Sequence, residues 1–259
     1  MSRLPALFIS HGAPTLVITP GAARDFLGTL GHVLPRPDAI LAVSAHWETA
    51  QPTLGSSMKP PTIHDFRGFP PEMYEITYPA VGSPSLANRA VGLLDAASFT
   101  AREDSARGLD HGAWVPLALM YPDARIPVSQ LSIQTEQGAD YHYRLGQALE
   151  PLRSEGVLIL TSGSATHNLG ELRWDATEDA PAWVLEFREW LAANTESGNA
   201  QALLDYRAQA PNAARNHPTE EHLLPFFVAL GAGSNPARAK RIHASMTYGV
   251  LAMDAYRFD

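Results

Sequence analysis

Cysteine is absent from the 259 residues. That single absence removes disulfides, thiolate nucleophiles, zinc fingers and iron–sulfur clusters, so any metal must be held by His, Asp or Glu. Basic runs are missing as well. Lys and Arg number 19 against 27 Asp and Glu, a formal charge of −8, which argues against a nucleic-acid partner. No stretch reaches the roughly 18 unbroken apolar residues of a membrane helix, so no membrane partner is expected. The opening residues Met1-Ser2-Arg3-Leu4-Pro5 lack the basic region and cleavage site of a secretory leader, and a cytoplasmic chain is expected. Nucleotide-binding loops of the G-x-x-x-x-G-K-[ST] and G-x-G-x-x-G types are missing. So is a G-x-S-x-G elbow, because Ser162-Gly163-Ser164 does not have its form.

With 45% hydrophobic and 18% charged residues the chain is globular and long enough for a buried core. Apolar runs alternate with amphipathic segments of helix length. Strands are expected at Leu4–Ser10, Ala39–Ala45, Ser98–Arg102, Pro127–Ile133 and Gly156–Ser162. Helices are expected at Ala22–Val33, Ser83–Ala97, Ala113–Tyr121, Tyr141–Arg153, Ala182–Asn194, Ala200–Ala208 and Glu220–Leu230. One or two closing strands fall within Ile242–Phe258. The strands are continuously apolar rather than alternating, which implies a sheet buried on both faces. The expected fold class is therefore α/β, one domain over residues 1–259 with a central, mostly parallel or mixed sheet covered by helices on both sides. The Pro- and Gly-rich segment Pro52–Val81 lacks periodicity and reads as a wall of an active site.

Ten histidines are present, and their placement is informative. His11, His46 and His167 each follow the carboxyl end of an apolar strand, where ligand sites form in open α/β sheets. One such histidine alone is an ordinary loop residue. Three in one context point to a nitrogen-rich metal pocket, because packing gives no reason to repeat the pattern. His111 follows Asp110 at the start of a short helix, where a cap with an incidental imidazole and an acid/base role weigh equally. In His217-Pro218-Thr219-Glu220-Glu221-His222, Thr219 can cap the next helix and the two acids suit its dipole, but His222 has no such explanation. His142, in a polar helix, reads as a solvated surface residue. His64 and Arg67 in the irregular segment could meet a substrate, and Tyr248 and Met246 either line a pocket or pack in the core. A histidine site without thiolates suits Zn²⁺ or Fe²⁺ alike. Such a site could activate water for a zinc-dependent hydrolase, or persist in an inactive metal- or ligand-binding protein.

Five blocks in order carry a resemblance. They are Ser10-His11-Gly12-Ala13-Pro14, Ser44-Ala45-His46-Trp47-Glu48, Leu109-Asp110-His111-Gly112-Ala113-Trp114, Ser162-Gly163-Ser164-Ala165-Thr166-His167-Asn168 and His217-Pro218-Thr219-Glu220-Glu221-His222. Together they resemble the class III extradiol ring-cleavage dioxygenases, in the DOPA 4,5-dioxygenase-like branch. The resemblance implies a single α/β domain. It implies a non-haem Fe(II) cofactor for activity, in a site that Zn(II) can also occupy. It also implies cleavage of a small-molecule catechol by O₂ to a muconic semialdehyde-type product. It makes His11, His46 and His222 metal ligands, with His222 (or its neighbour Glu221) where the wider family has a Glu. His167 would be the acid/base and a fourth ligand when zinc is bound, and His111 would orient substrate or oxygen.

Overall fold

Continuous apolar strands need cover on both faces, and the sheet has it. The structure, a computed structural model, describes residues 3–175, 179–233 and 239–259; Met1 and Ser2, part of the leader reading, lie outside them. The strands are β1 (Ala6–Ser10), β2 (Ala39–Glu48), β3 (Thr53–Gly55), β4 (Arg102–Asp104), β5 (Val128–Ile133), β6 (Val157–Gly163), β7 (Ala239–His243), β8 (Met246–Thr247), β9 (Leu251–Ala252) and β10 (Ala255–Phe258). The helices are α1 (Ala22–Val33), α2 (Pro84–Ala96), α3 (His111–Met120), α4 (Gly138–Leu149), α5 (Ala182–Glu196), α6 (Ala200–Leu204), α7 (Tyr206–Gln209), α8 (Ala213–Asn216) and α9 (Leu224–Ala232).

Eight strands form one mixed sheet in the order β4-β3-β5-β2-β6-β1-β10-β7, with β8 and β9 as a separate pair. The central four, β5-β2-β6-β1, are parallel, and antiparallel β10 and β7 close one side. Alternation shows within each strand but leads to two cores. Phe8, Leu41, Val43 and Ile159 point into a cluster with α4 and α9. Leu7, Ile9, Ile40, Ala42, Leu158 and Leu160 point the other way, into a cluster with α1 and α3. Both faces are dry, and this is why the sequence shows apolar runs instead of a period of two. Helix α9 is buried along its whole length. No helix among the described residues is long and apolar enough to cross a membrane.

Several boundaries moved for physical reasons. Ser83 accepts a hydrogen bond from Leu86 N and caps α2, which Pro84 opens. The expected helix over 200–208 breaks at Asp205 into α6 and α7. The helix expected from Glu220 starts only at Leu224, so Thr219 is not its cap. Thr219 Oγ1 bonds Glu221, and Glu220 accepts from the Tyr206 hydroxyl. Tyr141–Arg153 is α4 followed by a 3₁₀ segment at Glu150–Glu155.

His142 is not the surface residue expected. It is fully buried, its Nε2 accepts from Gln134 N at 3.2 Å, and its Nδ1 lies 2.7 Å from the Gly138 carbonyl. Two main-chain groups recruit the imidazole inward, which polarity alone could not reveal. Burial holds it down at about 4, against the ordinary 6.5. Unfolded chain therefore binds more protons between those values, and stability falls as pH drops through 6.5 towards 4. At pH 5 this residue alone costs about 2 kcal/mol. In urea titrations at pH 7 and pH 5, His142→Gln should lose less stability between the two than the unsubstituted protein, by about that amount. Equal losses would disprove the assignment.

Candidate metal centre

Parallel pairing sets the ends of β1 and β6 level with Ser44, four residues before the end of β2. Ser10 pairs with Gly163 across β1 and β6, and Ser44 pairs with Ser162 across β2 and β6. His11 leaves the end of β1 with its N–H on the Gly163 carbonyl, and His46 follows two residues after Ser44. His222 arrives from a distant part of the chain, just before α9. Its carbonyl accepts from Ser164 N, and a Cβ on Gly163 would stand 2.1 Å from that oxygen. Only glycine lets the backbone of residue 222 approach this closely.

The three rings converge through Nε2. His46 Nε2 lies 3.0 Å from His11 Nε2 and 3.3 Å from His222 Nε2. The outer nitrogens decide the tautomers. Ser162 Oγ donates to the Gly112 carbonyl, so it can only accept from His11 Nδ1, 2.9 Å away. Glu221 Oε1 accepts from His222 Nδ1 at 2.8 Å, and Asp65 Oδ2 lies 3.5 Å from His46 Nδ1. The tautomer with each Nδ1 protonated suits these acceptors and turns each Nε2 lone pair inward. Three lone pairs at this spacing repel one another unless a cation sits among them. Ligands about 2.1 Å from a shared ion are separated by about 3.0 to 3.4 Å, so the donor set fits a metal. Burial first, and the neighbouring imidazoles second, hold His11 and His222 well below the ordinary value, and His46 at about 4. All three are neutral at pH 7, the form in which imidazole binds metal.

Two further histidines border this point. The His111 ring centroid is 4.0 Å from that of His46. His167 stacks on His222 at 3.4 Å with 11° between planes, and its Nδ1 is 4.0 Å from Glu221. Burial also holds His167 at about 4. Among the described residues, the groups able to share an ion are His11, His46 and His222; His46, Asp65 and His111; and His167, Glu221 and His222. His167 is therefore near the first triad without being grouped with it.

Two carboxylates hold the frame. Asp110 is fully buried, caps α3 through Ala113 N, and accepts from Ser44, Arg107 and Gln130. Ser44 Oγ in turn accepts from His46 N at 3.1 Å, so the base of β2 and the start of α3 are tied together. Asp65 accepts from His111 N at 2.9 Å and lies 3.0 Å from His111 Nδ1. Burial alone would raise the Asp65 carboxyl. The ring and main-chain N–H of His111, with His46 nearby, instead hold it down at about 2. A cavity of about 720 Å³ opens over the imidazoles, walled by Phe66, Arg67, Phe69, Trp174, Tyr248 and Leu251 among others. Tyr248 holds a left-handed backbone (φ 51°), an uncommon conformation for a bulky residue, at the rim of this cavity.

The structure brings all five expected site histidines together: His11, His46, His111, His167 and His222. The irregular segment supplies one wall, as expected, but His64 does not face the cavity. Its Nε2 bonds the Ile76 carbonyl and its ring packs on Phe66 and Trp114. Tyr248 lines the cavity, whereas Met246 lines a neighbouring one of about 370 Å³. Sequence reasoning passed over Ser162 and Asp65. Ser162 was visible as a polar residue ending an apolar strand, whereas Asp65 in an aperiodic segment carried no signal.

A relative from Beta vulgaris, 4,5-DOPA dioxygenase extradiol, is 44% identical over 97% of this chain and 95% of its own length. A relative of the same description from Escherichia coli (strain K12) is 42% identical over 89% and 86%. A crystal structure of an uncharacterized protein from Escherichia coli K12 superposes with a TM-score of 0.84 at 34% identity, covering 99% of this chain and 100% of that one. The family profile described as the catalytic LigB subunit of aromatic ring-opening dioxygenase matches residues 5–258, nearly the whole chain, and the protein with this convergent histidine site belongs to that family.

Proposed function

We propose that the chain is one catalytic domain that opens a DOPA-like catechol beside its two hydroxyls, using O₂ and Fe(II) held by His11, His46 and His222. The observation that supports this most is the convergence of three imidazole Nε2 atoms under an open cavity. Iron held by these three histidines would supply Lewis acidity toward the catechol and redox chemistry toward O₂. The remaining work belongs to side chains. His167, neutral at pH 7, takes a proton from a catechol hydroxyl and returns it later to the product. In this reading it stands beside the triad, stacked on His222. His111, fixed by Asp65, faces the other side of the reacting ring, and Asp65 orients His46 as well. The Phe66 and Phe69 wall excludes water.

The test is oxygen uptake by metal-stripped protein reloaded under nitrogen with Fe(II) or Zn(II), then given L-DOPA or 4-methylcatechol in air. Uptake with iron only, alongside a yellow product, is the expected result. No uptake with either metal would sink the proposal and favour a zinc hydrolase or a binder without turnover.

A further inference from the structure

The cavity is too large for a catechol ring alone. At about 720 Å³ it lies in the range that takes drug-sized ligands, so a bound ring leaves room for a substituent. Its wall is mostly aromatic and aliphatic. Among the described lining residues, Arg67 is the only charged side chain apart from histidines, and none is a carboxylate. On a chain of net charge −8 that is a selective placement. Among the described residues Arg67 makes no hydrogen bond and no ion pair, unlike Arg107, Arg188, Arg215 and Arg241, each of which has a carboxylate partner.

The segment that carries Arg67 is fastened on both sides. Trp114 Nε1 donates to the Ile63 carbonyl at 3.0 Å, and His64 Nε2 lies 2.9 Å from the Ile76 carbonyl. Asp65 grips His111, and the Phe66 ring meets the His111 ring edge-on at 5.7 Å. Gly68 then turns the chain with a left-handed backbone (φ 78°), where a side chain would be strained. Arg67 is thus two residues from a group that touches two site imidazoles, at the mouth of the same cavity, with an unused planar fork of donors. A guanidinium so placed matches a carboxylate, which it can bind through two parallel N–H groups.

We infer that Arg67 is a specificity-determining residue that selects catechols whose ring substituent ends in a carboxylate. The inference rests on the ring-cleavage reading for the identity of the ring, but its test is separable. Steady-state cleavage would be compared for 3,4-dihydroxyphenylpropionate, dopamine and 4-methylcatechol in the iron-loaded protein, Arg67→Gln and Arg67→Glu. In Arg67→Gln, kcat/KM for the acid should fall about 10- to 100-fold, the range of a charge-assisted contact, with 4-methylcatechol within about twofold. Arg67→Glu should invert the order and favour dopamine over the acid. Calorimetric binding of the same three compounds to metal-loaded protein under nitrogen reads the same differences without turnover. Equal losses for all three, or an unchanged preference for the acid, would overturn the role of Arg67. Binding preferences that shift as expected while nothing is cleaved would uphold Arg67 and overturn the ring-cleavage reading.

Discussion

His11→Ala and His46→Ala should each leave purified protein with almost no bound iron or zinc, against about one ion per chain before substitution. Each supplies one of three converging Nε2 atoms, that of His46 lying 3.0 Å from that of His11 and 3.3 Å from that of His222, and two nitrogens hold an ion more weakly than three. Loss of a group that merely orients a ligand already weakens metal affinity about 10- to 100-fold, so loss of the ligand itself should exceed that. Ring cleavage should fall below detection. The fold should survive, because the rings face a shared polar point instead of filling the apolar clusters. Removing one of three mutually repelling lone pairs should even leave the metal-free protein as stable as before, or slightly more so. What disappears is the rise in melting temperature on adding metal, which is stability contributed by binding. Elemental analysis and melting with and without metal read both effects. Full metal occupancy in His11→Ala would reject the assignment.

His167→Ala should separate binding from turnover. The proposed base stacks on His222 and is not grouped with His11 and His46, so most of the metal should stay. Turnover should fall about 10²- to 10⁴-fold, the usual contribution of a positioned acid/base, with KM changing much less. Stopped-flow spectra under nitrogen should show the bound catechol forming its deprotonated state more slowly or at higher pH. Metal loss as deep as in His11→Ala would make His167 a ligand instead, and unchanged kcat would make it a bystander.

Much of this site was legible because strand chemistry is legible. Leu7–Ser10 and Leu41–Ala45 are apolar runs that end in a histidine, and a buried parallel strand delivers whatever follows it to the sheet's edge. His222 was harder, since its place depends on a contact between its carbonyl and Gly163, some sixty residues earlier. Apart from the family resemblance, the sequence pointed to it because the structural reasons that covered Glu220 and Glu221 did not cover it. His142 was misread because helix polarity says nothing about two main-chain groups waiting for a partner. The late helix was started too early because Thr219 and the acids look like a cap, while Tyr206 holds Glu220 and Glu221 bonds both Thr219 and His222. Asp65 was invisible for a related reason. An acid in a segment without period has no pattern in sequence to betray its partners in space.

The segment from His64 to Phe69 therefore draws a boundary within a few residues. At Asp65, a change would disturb the two imidazoles it touches and with them the chemistry. At Arg67, two positions on, the side chain hangs free and a change would alter only which molecules are accepted. Descendants of this chain could drift from one diet of aromatic compounds to another by single substitutions at 67 while leaving the reaction intact. A library confined to 67 would sample new substrates at little risk, and one that included 65 would discard most of its members.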